Sequence, residues 1–411
     1  MKKKVLNWAQ RFNTFCFLDN HQYHIEPHTQ ECMLGAGIKR KINANGLNAL
    51  DGLQKFIDER RSWLFGQLCY DLKTGNEQVS SIHADEVQFP DLFFFEPEIV
   101  IRLNENELII DSEEPAEIFA EINSQGDERK SQLRSSPVVE GRIPKNEYLS
   151  IIRQLRRHIL RGDCYEINFC QEFFAEKTII DPGEVYKRLV SISPNPFSAL
   201  YRVDDKWLIC ASPERFLKKQ DSRILSQPIK GTSRREPGDL IQDELNREEL
   251  LHSAKDRSEN VMVVDLVRND LARVCREGTV KVDELYGIYS FPQVHQMIST
   301  VSGELKKNVS FNEIIRATFP MGSMTGAPKK RVMELIERYE KTKRGIFSGC
   351  LGYISPDGDF DLNVVIRSIM FNALSGYLSF QVGSGITYYS DPEKEWQECI
   401  LKAEAIRQTL S

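Results

Sequence analysis

The chain has 411 residues, 41% of them hydrophobic and 28% charged, with a formal net charge of −6. That length builds one large domain or two ordinary ones, and the apolar and charged fractions are those of a soluble globular protein. The acidic balance argues against a nucleic-acid partner but not against an anionic substrate, which needs only local cations.

From the N-terminus, Met1-Lys2-Lys3-Lys4 is basic, but Asn7, Gln10, Arg11 and Asn13 interrupt the next stretch, so there is no apolar signal core. Residues 98–103 and 107–111, separated by Asn104-Glu105-Asn106, predict a hairpin. Residues 123–137 are almost wholly polar and predict a surface connection. From 145 to 160, Tyr148, Ile151, Ile152, Leu155 and Ile159 recur at helical spacing, and Gly162 closes that helix. The apolar run Trp207-Leu208-Ile209-Cys210 ends in Ala211-Ser212-Pro213-Glu214, and the alternating residues 223–227 predict a strand that ends in Pro228-Ile229-Lys230-Gly231-Thr232. The charged stretch 233–260 opens as a loop and becomes helical near Glu244. Gly322 to Lys329 is glycine-rich and enters a helix whose apolar face is Val332, Leu335, Ile336 and Tyr339. The Gly-Lys-Ser/Thr order of a nucleotide loop is missing there. Hairpin-like strands mixed with helices predict an α+β fold with large antiparallel sheets. The most apolar runs, such as Leu92-Phe93-Phe94-Phe95, are far too short to span a bilayer. Nine scattered cysteines with no CxxC pair suit a reducing cytoplasm.

Two strand ends thus offer a carboxyl group, Glu214, and an amine, Lys230. A lysine is nucleophilic only when neutral, so it needs burial or a cationic neighbour, and a carboxylic acid beside it could protonate a leaving hydroxyl. Read alone, a lysine after a strand is usually a solvated edge charge. Asp256 and Glu259 are three apart on a predicted helix, and Glu395 and Glu398 repeat the spacing on the last one. These pairs are either solvated helix faces or an all-oxygen site for Mg²⁺. Arg367, after Val364-Val365-Ile366, reads as a strand arginine: an edge charge or a buried clamp for a carboxylate.

Taken together, the phrases around Glu214 and Lys230, Asp256 to Asn260, Val264 to Asp270, Gly322 to Lys329, Asn363 to Ser368, and Gly383-Ser384-Gly385 with Asp391 to Glu398 resemble the chorismate-utilising enzymes. That family includes anthranilate synthase, isochorismate and salicylate synthases, and the large subunit of aminodeoxychorismate synthase. The likeness is strong from about Ile143 onward and weaker before it, where Phe65 to Leu72 looks like the family's N-terminal region. It implies two large antiparallel sheets flanked by helices, an active site in a central cleft, and an N-terminal region (1–139) interwoven with a catalytic region (140–411). It also implies roles. Lys230 is the nucleophile, Glu214 the acid and His295 an active-site histidine near the ring. Gly231, Thr232, Thr325, Tyr353, Arg367, Gly383, Ser384, Gly385 and Lys402 contact the substrate. Glu259 and Glu398 hold Mg²⁺, with Asp256 and Glu395 as outer, water-linked carboxylates.

Lysine at 230 resembles the branch that aminates chorismate at C4, since relatives of the anthranilate and isochorismate kind carry a small residue there. Water-adding relatives have a lysine base near Tyr165 and Glu166, and this chain has none. No Leu-Leu-Glu-Ser phrase of the tryptophan-binding type is present near the N-terminus. The expected reaction is chorismate plus ammonia to 4-amino-4-deoxychorismate. Ammonia would come from a separate glutaminase subunit, and a separate lyase would act downstream, because the chain stops soon after the last motif. The alternatives are an anthranilate-forming, an isochorismate- or salicylate-forming, or a non-catalytic chorismate-binding subunit.

Overall fold

The computed structural model describes residues 1–23, 31–72, 81–126 and 136–411. Most of the polar 123–137 connection lies outside them. Among the described residues the chain builds an eleven-stranded sheet and a ten-stranded sheet. Both are antiparallel. The first sheet runs from an edge at Gly326–Ala327 and Glu166–Ala175, through Tyr377–Ile386, Ser368–Asn372, Lys206–Ser212 and Phe197–Val203, to Thr14–Asp19, Cys32–Ala36, Ile99–Leu103 and Leu108–Asp111. The second starts at Ile229–Arg234 and passes through Val294–Glu304, Arg223–Gln227, Arg215–Gln220, Phe360–Val364 and Cys350–Ile354 to Leu64–Leu68, Leu92–Glu96 and Arg40–Ala44. Each sheet therefore joins strands from the first third of the chain to strands from its last third.

Side-chain alternation divides the core. Cys16, Tyr201 and Leu208 belong to one cluster, which also holds Phe65 and Leu362 of the second sheet. Their neighbours Phe15, Phe17, Leu200 and Ile209 face the opposite way, into a cluster with Tyr148, Val185, Val332 and Cys399 of the covering helices. The run Phe93-Phe94-Phe95 is buried on both faces: Phe95 meets Phe65, and Phe94 meets Phe311 of the helix Phe311–Thr318. That is why it reads as continuous rather than alternating.

The predicted hairpin forms, with the Asn104 N–H donating to the Glu107 carbonyl. The predicted helix spans Lys145–Leu160. Gly162, at φ +82°, then lets its own N–H and that of Asp163 reach the carbonyls of Ile159 and His158. The strand Arg223–Gln227 has the predicted bounds. Lys230 departs from expectation. It does not end that strand; after Pro228 a new strand, Ile229–Arg234, pairs with Val294–Glu304. In the charged stretch, a helix starts at Leu240, ahead of the expected Glu244, because the Asp239 side chain accepts from the Ile241 and Gln242 N–H groups. A second helix, Ala254–Val274, is capped by Ser253. Arg367 is not in a strand. It lies in the turn between Phe360–Val364 and Ser368–Asn372, at φ +50°.

A carboxylate-lined cleft between the sheet edges

Lys230 is aimed by a bulge. Ile229 pairs with Ile298 and Thr232 with Gln296, so one strand carries an extra residue between those partners. Gly231 supplies the φ of +92° that this needs, and a Cβ there would come within 2.9 Å of the Asp256 Cβ. The bulge directs Lys230 across to the edge of the first sheet. Its Nζ donates to Glu166 Oε1 at 2.5 Å, and Glu166 is only 2% exposed. Gly385 makes room for the pair: a Cβ there would lie 3.2 Å from both the Lys230 Nζ and Glu166 Oε1, and 3.5 Å from Glu259 Oε2. The two sheets thus meet at an ion pair with a second carboxylate alongside.

Burial pushes the Lys230 ammonium down, but Glu166, Glu259 and Glu214 together outweigh it and hold the pKa above the usual lysine value. Of the two expected routes to a neutral amine, burial is present, but anions rather than a cation surround it. Glu214 lies in the two-residue link between Lys206–Ser212 and Arg215–Gln220. It is 4% exposed, and its backbone is fixed by the Ser212 hydroxyl and the Val364 N–H. Burial pushes its carboxyl up to about 7, against hydrogen bonds from Ser323 and the Ile229 N–H and the field of Lys230. The glycine-rich turn therefore reaches the cleft through Ser323. The Thr325 hydroxyl is turned inward onto the Met321 carbonyl at 3.0 Å, and Thr325 is fully buried.

The acidic pairs sit on Ala254–Val274 and Pro392–Leu410. Glu259 is buried, its Oε1 has no hydrogen-bond partner, and burial above all raises its pKa to about 7. Glu395 is buried and its pKa is raised, chiefly by desolvation. Burial would raise Glu398 too, but Lys402 at 2.7 Å holds it below the usual carboxylate value. Asp256 accepts from the Ser253 hydroxyl. Lys255, which sequence reasoning passed over, feels all four carboxylates, and they raise its pKa against the effect of burial. Among the described residues no three acidic, histidine or cysteine side chains stand close enough to cage an ion. The orphaned Glu259 oxygen and the all-oxygen donor set do fit a hard cation that keeps most of its waters.

Arg367 is half-buried, makes no side-chain hydrogen bond or ion pair among the described residues, and has its pKa lowered to about 10 by burial alone. An unpaired, half-buried guanidinium is a site for a carboxylate. Lys402 also reaches the Gly383 carbonyl at 3.2 Å. Gly383 and Gly385 face the cleft, whereas Ser384 between them points to the opposite face, beside the Tyr148 phenol. Thr232 is exposed on the lysine strand.

Two predicted residues lie apart from this group. His295 is buried, with its ring nitrogens committed to the Ser290 hydroxyl at 2.8 Å and Asp243 at 3.2 Å. Tyr353 packs on Trp63 and Phe65 and lines a different cavity, with Asn20, Met33, Pro196 and Asp361. Glu166 was missed as a functional residue. Its one signal is a carboxylate opening the buried strand Glu166–Ala175.

The nine cysteines are free and buried. No helix among the described residues is long and apolar enough to cross a membrane.

The sequence matches the family model described as chorismate binding enzyme over residues 6–408. It is 33% identical over 350 residues to aminodeoxychorismate synthase component 1 of Klebsiella aerogenes, covering 84% of this chain and 76% of the relative. It is 33% identical over 374 residues to an anthranilate synthase component I-like protein of Synechocystis, covering 89% and 76%. Among solved structures, anthranilate synthase component I from Streptococcus pneumoniae superimposes with a TM-score of 0.81 at 24% identity over 94% of each chain. The menaquinone-specific isochorismate synthase MenF of Escherichia coli gives a TM-score of 0.81 at 17% identity over 99% of this chain and 91% of its own. Both share the two-sheet fold.

Proposed function

Since the chain belongs to the family of chorismate binding enzymes and is a chorismate-converting enzyme, we propose that it is the large subunit of aminodeoxychorismate synthase, making 4-amino-4-deoxychorismate from chorismate and ammonia. The observation that carries this reading is a buried lysine in the cleft beside Glu214, a carboxyl group with a pKa raised to about 7.

Arg367, with no competing partner, receives one substrate carboxylate, and Lys402 lies at the mouth for the other. Gly383 and Gly385 let the ring approach the strand backbone. The Lys230 amine attacks C2 of the ring, the two ring double bonds shift, and the C4 hydroxyl leaves as water with the proton of Glu214. Ammonia then adds at C4, the double bonds shift back, and Lys230 leaves C2. Splitting one displacement into two easier ones is what a covalent nucleophile contributes. Glu259 and Glu398, backed by Asp256 and Glu395, would hold Mg²⁺, which when bound draws charge from the ring carboxylate. A partner glutaminase would supply the ammonia, and a lyase would convert the product to 4-aminobenzoate for folate.

The test is a product assay with chorismate, Mg²⁺ and ammonium. An aminodeoxychorismate mass, converted to 4-aminobenzoate by an added lyase, supports the reading. Anthranilate plus pyruvate would overturn it.

A further inference from the structure

A nucleophilic role for Lys230 meets one difficulty. The Lys230 Nζ is held as an ammonium by the Glu166 carboxylate at 2.5 Å, with Glu259 and Glu214 adding to the anionic field, and an ammonium cannot attack carbon. Something must take its proton without losing it to solvent. Glu214 is unsuited, because its carboxyl group must itself carry a proton to the leaving hydroxyl. Glu259 belongs to the acidic set read as metal-binding. Glu166 is free of both duties. Among the described residues its carboxylate is the one hydrogen-bond partner of the Lys230 Nζ, at 2.5 Å. It is shielded from water, and Gly385 leaves no side chain between the pair and the cleft.

We propose that Glu166 is the general base that frees Lys230 for attack and later returns the proton; this rests on the reaction read above. The steps balance. The Lys230 ammonium gives a proton to Glu166, and the neutral amine forms a bond to C2 and becomes a secondary ammonium. Glu214 protonates the departing hydroxyl, which leaves as water. Ammonia bonds to C4 and gives its extra proton to Glu214. The C2–nitrogen bond then breaks, and the leaving amine takes its proton back from Glu166. Both acids and the lysine end as they began.

The experiment compares wild type with Glu166→Gln and Glu166→Asp. The first readout is the covalent lysine adduct, chorismate less one water, formed with chorismate and Mg²⁺ alone and followed by intact mass. The second is turnover at fixed free-ammonia concentration. In wild type the proton stays inside the ion pair, so between pH 5 and 6, below the range in which Glu214 ionises, the adduct rate is flat. In Glu166→Gln the proton must go to solvent. The adduct rate is then about 100-fold lower at pH 7 and rises about tenfold per pH unit in that window. Glu166→Asp keeps the flat profile at a reduced rate. A Glu166→Gln enzyme with the wild-type rate and flat profile overturns the proposal while leaving the aminodeoxychorismate reading intact. A wild type that makes a different product and no adduct overturns both. Chorismate binding by each variant, measured by calorimetry, separates a misfolded cleft from a lost base.

Discussion

Two buried charge clusters lie along the same strand, Glu166–Ala175, and they follow opposite rules. In the first, Arg344 donates to both oxygens of Glu340 and to the carbonyls of Met324 and Asn168, and it lies 4.3 Å over the Tyr70 ring. Glu340 also accepts from the Cys170 N–H at 2.8 Å, so both charged groups are satisfied. In the second, Lys230 faces more carboxylates than it can pair with, Glu259 has an orphaned oxygen, and Arg367 has no partner among the described residues. A satisfied network braces the backbone; an unsatisfied one is paid for by that bracing and waits for a ligand. Arg344 grips the carbonyl of Asn168, two residues from Glu166.

The contrast can be broken from either side. Lys230→Ala should abolish aminodeoxychorismate formation, by about 10³-fold or roughly 4 kcal/mol of barrier. Undiminished turnover would end the nucleophile reading. Glu340→Ala does the reverse. It strands the Arg344 guanidinium in the core and should cost about 3–5 kcal/mol of stability, seen as a lower denaturant midpoint. Glu214→Gln should lose about 100-fold in turnover and the alkaline limb of the pH profile. At fixed free ammonia, wild-type turnover should fall as pH rises through about 7, where Glu214 ionises. Asp71, half-buried and raised to about 7 mainly by desolvation, gives a stability counterpart. Its folded pKa exceeds the unfolded one, so its contribution is full below the ordinary carboxylate range and is lost as pH rises through 7. Asp71→Asn should therefore flatten the decline in melting temperature between about pH 4 and 7. Ser384→Ala, on the face turned away from the cleft, should change turnover less than twofold; a larger loss would put that hydroxyl in the site.

Range decides how much was legible in the sequence. The helix Lys145–Leu160 and the strand Arg223–Gln227 announce themselves through local periodicity and local turn chemistry. Lys230 was legible as chemistry but misplaced. Pro228 ends one strand, and the bulge that starts the next is fixed by pairing with Val294–Glu304, which no local pattern encodes. Arg367 reads as part of an apolar strand because Val364-Val365-Ile366 precede it, yet the chain turns there at positive φ. Glu166 is the sharpest case. Its meaning depends on a lysine from the other sheet, and the strand's own sequence gives no sign of that partner.

The interleaving of the two sheets also governs how the protein is born. Phe15 pairs with Arg202, Phe65 pairs with Tyr353, and the cleft draws residues from Glu166 through Lys402. No early segment can complete its sheet while the ribosome is still working, and contacts of such long sequence separation form slowly. The nascent chain must carry exposed strand edges until almost all of it has emerged, so its yield in a cell should depend more on chaperone supply than on the stability of the finished enzyme.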